Sequence, residues 1–260
     1  LFNYVENGPK HLRRASLGAL ANLAGPQDIA RLTEFVGTDD HVIKALVAVC
    51  RRTDQKSQAA KAILAVMPSQ SVETKAELLP CLSILGGMDG LKAVRDLIGN
   101  KDLQEPAMKA LASWSGGEAA PVLIDLAGKK AVGDTEKTLL FRGLGRLLES
   151  RTSGLEPAQQ LSLALAGMNA AKGAQDKNVM LGVLGNLGTK EAGERLLGML
   201  EDDALVEGAA QAALNVARSL GRRDRETAGK ILNAVANSKA PTDIIDSAKD
   251  MLERGSRRRR

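Results

Sequence analysis

The side chains best suited to chemistry in this sequence are two cysteines and two histidines. Cys50 and Cys81 are too few for a disulfide framework or a structural zinc site. Free cysteines are usually small buried apolar side chains, and this is the role predicted for both. His11 and His41 do not form the His-x-x-x-His pair of helical metal sites. We therefore expect both to be ordinary polar residues near the starts of helices. No catalytic, cofactor-binding or metal-ligating residue is predicted.

Three other features could be interpreted as chemical sites, but for each of them a structural role is the better interpretation. The glycine pairs at 86–87 and 116–117 lack the Lys-Ser/Thr of a phosphate-binding loop and follow no predicted strand, so they suit helix ends. The acidic clusters at 39–40 and 201–203 are expected to cap the helices that follow them. Trp114 is expected in the core with its indole N–H near the edge, because a buried N–H donor needs a partner.

Charge is concentrated at the carboxyl end of the 260-residue chain. Lys and Arg number 36 against 31 Asp and Glu, and residues 254–260 hold five of the arginines. The remaining body therefore balances 31 basic against 31 acidic residues. Abundant Leu and Ala at low net charge argue against disorder, and an aromatic content of 2% argues against a base-stacking surface. No apolar run reaches the ~18–20 residues of a membrane span.

The elements that position these residues follow from a repeat. Its anchors recur at a mean spacing of about 33 residues, within the range of helical solenoids. Residues four before, three before and three after each anchor are mostly apolar and form one helical face. The residue just before each anchor is small, which lets a neighbouring helix approach closely. The anchors are Leu20, Leu46, Leu82, Leu111, Leu144, Leu184, Leu214 and Ala248.

A second helix is predicted between successive anchors. Apolar triplets mark it, such as Leu32, Phe35 and Val36 in the first repeat and 94, 97 and 98 in a later one. Pro80 falls inside an anchored helix, where it removes a backbone N–H and is expected to cause a kink. No run alternates with the period of a strand. The pattern predicts an all-α chain of about eight helix pairs.

These patterns resemble HEAT repeats, especially the short bacterial type called HEAT-like or phycobilisome-lyase-type. The segments that carry the resemblance are 19–25, 110–114 and 181–188, with their apolar, small and Leu-Gly steps. The resemblance implies a right-handed α-α superhelix of the HEAT/armadillo kind. The stretch from Leu139 to Gly188 is also similar to arrays within large, often exported, multidomain bacterial proteins. A fragment of such a protein is therefore expected.

The domain prediction is a single solenoid over residues 1–253. Leu1, Tyr4 and Val5 align with the end of a second helix, so residues 1–9 are interpreted as a remnant of a preceding helix. An apolar edge is not the polar cap that solenoid ends need, and we expect further chain upstream. Gly255 is expected to end the last helix, which leaves 254–260 as a disordered Arg-rich tail, either a native basic arm or linker sequence.

The candidate binding surface is the concave side, where the resemblance places the anchored helices. Residues two positions from each anchor flank the buried stripe, and they are basic in the middle of the array and acidic at 246 and 250. An ordinary solvated face is the alternative interpretation. The predicted partner-binding residues are Asn22, Lys44, Lys109, Ser113, Arg142, Arg146 and Asn186.

The leading hypothesis is a non-enzymatic scaffold that binds a protein, a peptide or a neighbouring domain on this face. One alternative is a nucleic-acid-binding protein that uses the basic residues and the tail. Binding through Arg257, Arg258, Arg259 and Arg260 alone would be nonspecific. Another alternative, from the resemblance only, is a lyase or isomerase of the phycobiliprotein-lyase kind. A monomer is expected. The free cysteines are compatible with a cytoplasmic location, and the resemblance also allows export.

Overall fold

The structure is a computed structural model that describes residues 1–221 and 223–257. These residues form α-helices, short 3-10 turns and connecting loops, without a strand. They divide into two compact units, Leu1–Ala119 and Ala120–Arg260. The prediction of an all-α fold of paired helices is confirmed. The prediction of one solenoid over 1–253 stays a prediction.

The first unit contains eight α-helices. The even-numbered helices α2, α4, α6 and α8 pack successively on one another, and α3, α5 and α7 pack beside them. Short 3-10 turns follow or precede several of them, at Pro26–Asp28, Met67–Ser69, Leu97–Gly99 and Gly117–Ala119. The helices are α1 (Phe2–Asn7), α2 (Lys10–Leu23), α3 (Ile29–Thr33), α4 (Asp40–Arg52), α5 (Lys56–Val66), α6 (Val72–Leu85), α7 (Met88–Asp96) and α8 (Gln104–Ala112).

The second unit repeats the same arrangement. Helices α10, α12, α14 and α16 pack successively, with α9 against α11 and α13 against α15. The helices are α9 (Ala120–Gly128), α10 (Asp134–Glu149), α11 (Pro157–Ala170), α12 (Ala174–Leu187), α13 (Lys190–Leu197), α14 (Val206–Leu220), α15 (Arg225–Ala236) and α16 (Thr242–Arg257).

Each predicted anchor lies on a different even-numbered helix, from Leu20 on α2 to Ala248 on α16. All eight anchors are buried, and so are all eight residues four positions before them. Removing this apolar surface from water stabilises the folded state by about 1.5–3 kcal/mol for each large side chain. The anchored face is therefore the core of both units.

Three local features differ from the sequence expectation. The second helix of the first repeat, α3, ends at Thr33, so Phe35 and Val36 lie in the turn that follows it. Leu23, three residues after its anchor, is 74% exposed. Helix α16 continues through Gly255 to Arg257, because glycine lowers helix stability without preventing the helical conformation. Residues 258–260 of the predicted tail lie outside the described residues.

Pro80 lies inside α6, as predicted. It has no N–H to donate to the backbone of the preceding turn. The carbonyl of Pro80 accepts a hydrogen bond of 2.8 Å from the hydroxyl of Ser83, whose side chain is buried. The helix continues to Leu85, where Gly86 takes a positive φ of 72° as the C-cap. The predicted role of this glycine pair at a helix end is confirmed.

Candidate binding surface

The seven predicted partner-binding residues are all exposed on even-numbered helices or directly after them. In the first unit, Lys109 and Ser113 line an open groove between α6 and α8, together with Pro80 and Pro106. The Nζ atom of Lys109 lies 2.6 Å from Glu105 Oε1, one helical turn away. That exposed pair contributes little stability, so the lysine can exchange its partner at small cost.

Asn22 and Lys44 do not join this groove. Asn22 lies on α2 and donates from Nδ2 to the carbonyl of Gly18, at 3.0 Å. Lys44 lies on α4 with its side chain exposed. Neither residue is among those that line the α6–α8 groove. The first unit thus brings together two of its four predicted residues.

In the second unit the predicted residues converge. Arg142 and Arg146 lie one turn apart on α10 and line an open groove with Val179 of α12. Gly145, Glu149 and Ser150 complete the lining. We call this set of six residues the α10–α12 groove. Each guanidinium group presents a fork of N–H donors that can make two parallel bonds to one carboxylate.

The third predicted residue of this unit reaches the same groove. Asn186 on α12 donates from Nδ2 to Glu149 Oε1 across the two helices, at 2.7 Å. The two helices come close because Gly145 has no side chain. A Cβ there would lie 2.6 Å from Cγ1 of Val179. Arg142, Arg146 and Asn186 therefore share one surface, although Asn186 is 40 residues beyond Arg146 in the sequence.

A polar cluster in the first unit was not predicted from sequence. The indole Nε1 of fully buried Trp114 donates to Glu118 Oε1 at 2.9 Å. The same oxygen accepts the backbone N–H of Gly87 at 2.7 Å. Ser115 adds two bonds to the end of α6, from its N–H to the carbonyl of Ser83 and from its hydroxyl to that of Ile84, both 3.0 Å. We call this arrangement the Glu118 turn.

The electrostatics of the Glu118 turn favour the ionised carboxylate. Partial burial by itself raises the pKa of Glu118, because it removes the charged form from water. Hydrogen bonds from the Trp114 indole and from backbone N–H groups, together with the charge of Lys56, outweigh that effect. The pKa of Glu118 therefore lies below its ordinary value. The core position predicted for Trp114 is confirmed. Its indole N–H, expected near the edge, is bonded to the half-buried Glu118.

The cysteines and His41 occupy the structural positions predicted for them. Cys50 and Cys81 are both fully buried and free. The hydrogen bond of the Cys81 thiol with Cys50 and the burial of this thiol raise the pKa of Cys81, so it stays protonated. His41 lies beside Asp39, the N-cap of α4, with Nδ1 at 2.7 Å from Oδ1. Residues 1–221 and 223–257 contain no group of three or more metal-ligating side chains.

Searches with family models and with curated proteins found no match. Among solved structures, human deoxyhypusine hydroxylase in complex with glycerol is 17% identical, with coverage of 95% of this chain and 92% of that one and a TM-score of 0.36. A computationally designed self-assembling cyclic homooligomer is 15% identical, with coverage of 99% and 85% and a TM-score of 0.16. Likenesses this weak assign no residue of this chain to a function. Within the described residues, no helix has the length and hydrophobicity of a membrane span.

One expectation is corrected by these comparisons. The lack of a convergent titratable cluster led to the prediction that the chain is not an enzyme. That prediction is contradicted, because the hydroxylase matched above is an enzyme.

Proposed function

We propose that this chain binds a protein or peptide partner through the exposed face of its even-numbered helices. The observation that supports this most directly is the α10–α12 groove. This groove is one open surface. It combines two arginines one helical turn apart, the aliphatic side chain of Val179 and the Asn186–Glu149 pair. Arginine is enriched at protein interfaces, where its fork of donors meets carboxylates and backbone carbonyls.

The composition of the groove supports a polypeptide ligand in particular. Arg142 and Arg146 can bind acidic side chains, while Asn186 and Glu149 offer a donor and an acceptor of the kind that backbone amides satisfy. Val179 adds a small apolar contact. A groove that is open along the helices suits an extended or helical segment better than a small enclosed molecule.

The test is a selection of peptides from a random library against the full chain, followed by affinity measurements with two variants. Arg142→Glu with Arg146→Glu reverses the charge of the groove. Lys130→Glu with Arg195→Glu is the matched control, because it makes the same charge change at exposed positions elsewhere in the second unit. We expect the groove variant to weaken selected peptides at least about tenfold, and the control less than about twofold.

Two results would contradict the proposal. One is a set of selected peptides that binds the groove variant as well as the parent chain. The other is equal weakening by both double variants, which would indicate nonspecific attraction to positive charge and not recognition at the groove. Thermal unfolding of each variant by circular dichroism separates loss of binding from loss of fold.

A further inference from the structure

The charged residues of the α10–α12 groove form an ordered row along α10. Arg142, Arg146 and Glu149 are separated by four and three residues, so they share one face of the helix, and all three are exposed and line the groove. With a helical rise of 1.5 Å per residue, Arg146 lies about 6 Å and Glu149 about 10.5 Å along the axis from Arg142. We call these three residues the α10 row. It presents two positive charges followed by one negative charge.

The wall of the groove on α12 is formed by uncharged residues. Val179 lines the groove, and Gly182 and Asn186 follow it on the same face, three and seven residues later. The bond from Asn186 to Glu149 places this face beside the α10 row. A Cβ on Gly182 would meet no atom within 4 Å. The α12 side therefore offers an aliphatic contact at Val179 and open space at Gly182.

The spacing of the α10 row matches the spacing of side chains on a second helix. Residues i, i+4 and i+7 of any α-helix rise by the same distances of about 6 and 10.5 Å. Packed helices often lie within about 20° of parallel or antiparallel, which keeps two such rows aligned over two turns. An extended segment spaces its same-side residues by about 6.6–6.8 Å. It can reach both arginines, but its next same-side residue lies about 3 Å beyond Glu149.

We propose that the α10–α12 groove binds an α-helix of the partner, with carboxylates facing Arg142 and Arg146, a cation facing Glu149 and an aliphatic residue on the edge that faces α12. This inference rests on the function proposed above and narrows it to one class of ligand. A shift of the ligand by one turn in either direction places like charges opposite each other, which costs free energy. The order of charges in the α10 row therefore fixes the position of the ligand helix along the groove.

A nucleic-acid strand fits the same row less well. Its phosphates are all negative, so a strand that pairs with Arg142 and Arg146 also brings negative charge to Glu149. A helix with two acids and one base satisfies all three positions. The charge order thus favours a polypeptide.

The test uses synthetic peptides held helical by a side-chain crosslink on the face away from the charges. Two of them present the complementary row in its two possible directions, as Glu, Glu, Lys at i, i+4, i+7 and as Lys, Glu, Glu at i, i+3, i+7, with Leu on the adjacent edge. A scrambled peptide of the same composition places the three charges on different faces. We expect one row peptide to bind the full chain at least about tenfold more tightly than the scrambled peptide does, by fluorescence anisotropy.

A charge exchange at Arg146 tests the contact itself, because the middle residue of the peptide row faces Arg146 in either direction. Arg146→Glu should weaken the row peptide at least about tenfold. A peptide with Lys in place of the middle Glu should bind this variant at least about fivefold more tightly than the original peptide does. Arg195→Glu is the matched control, with the same charge change at an exposed residue of the second unit. It should change both affinities less than about twofold.

Three results would overturn the inference. They are equal binding of the row and scrambled peptides, no recovery in the charge exchange, and tighter binding of either an extended Asp-x-Asp peptide or a single-stranded oligonucleotide than of both row peptides. If peptides selected from the library still depended on Arg142 and Arg146, only the helical ligand would be wrong. If none did, or if the oligonucleotide bound most tightly, the proposed function would fail as well.

Discussion

The Glu118 turn and the α10–α12 groove each contain a carboxylate that bridges two helix pairs, but the two carboxylates have different surroundings. Glu118 Oε1 accepts from the buried Trp114 indole and from the Gly87 N–H. Glu149 Oε1 accepts from Asn186, and both of these residues are exposed. The Trp114 indole is buried, so Glu118 supplies an acceptor to a donor that water cannot reach. At the exposed Asn186–Glu149 pair, water can replace the bond and the carboxylate remains available to a ligand.

The comparison predicts a large difference between two truncations. Glu118→Ala removes the acceptor from two donors at once and should lower the free energy of unfolding by about 2 kcal/mol. Glu149→Ala breaks an exposed bond and should change it by less than about 0.5 kcal/mol. Urea unfolding followed by circular dichroism measures both.

Glu118→Gln serves as the control for the first truncation, because its amide oxygen still accepts a hydrogen bond. Glu118→Gln should lower the free energy of unfolding by less than Glu118→Ala does. If both alanine variants were equally stable, the Glu118 turn would not hold the ends of α6 and α8 together in the way we infer.

The second prediction concerns the close approach of α12 and α14 in the second unit, which occurs at a glycine. A Cβ on Gly185 of α12 would lie 3.0 Å from the Cα of Ala212 on α14, so backbone would have to move. Gly185→Ala should destabilise by about 1 kcal/mol, since overpacking outweighs the gain in helix propensity. Gly182→Ala on the same helix meets no atom within 4 Å, and it should stabilise by about 0.5–1 kcal/mol.

Thermal unfolding of the two glycine variants measures these opposite changes in stability. A stabilising Gly185→Ala would mean that α12 and α14 are farther apart than the structure places them. A destabilising Gly182→Ala would mean that its face of α12 is covered. Either result would weaken the view that close glycine contacts, and not polar bonds, organise this region.

The sequence predicted the repeat because burial of the anchors depends on local helix periodicity. It failed at Leu23, which has the same spacing as its buried counterparts, because burial at that position also depends on a neighbouring layer. It failed on α14 as well. Ala212 and Val216 stand two residues from their anchor, where exposed residues were expected, yet both are buried. Ala212 is covered because α12 approaches α14 closely at Gly185. Helical spacing in the sequence contains no information about the distance between two helices.

The exposure of the candidate binding residues could be predicted from the sequence, but which of them lie together could not. Their exposure follows from positions beside the buried face, but the pairing of Glu149 with Asn186 depends on how α10 meets α12. Glu118 was missed for a related reason. Its bond to Trp114 spans four residues and could have been sought from the unpaired indole donor. Its bond to Gly87 spans 31 residues and requires the geometry of two adjacent repeats.

The smallest expected effect is a dependence of stability on pH that belongs to Glu118. Its pKa in the folded chain is lower than its ordinary value of 4.5, so folding favours the ionised form. The resulting stabilisation is complete above pH 4.5 and is lost as the pH falls through the lower folded-state value. Glu118→Gln has no charge to lose, so the difference in Tm between parent and variant should be constant from about pH 7 to pH 5 and shrink below that.

The difference between parent and variant isolates this group, because other carboxylates with a lowered pKa titrate in both proteins. They are Asp39, Glu73, Glu105, Asp224 and Glu226. Differential scanning calorimetry across this range provides the measurement. A Tm difference that stays constant down to pH 3 would show that Glu118 has the same proton affinity folded and unfolded. The contrast between the Glu118 turn and the α10–α12 groove would then rest on hydrogen-bond geometry alone, without a contribution from charge.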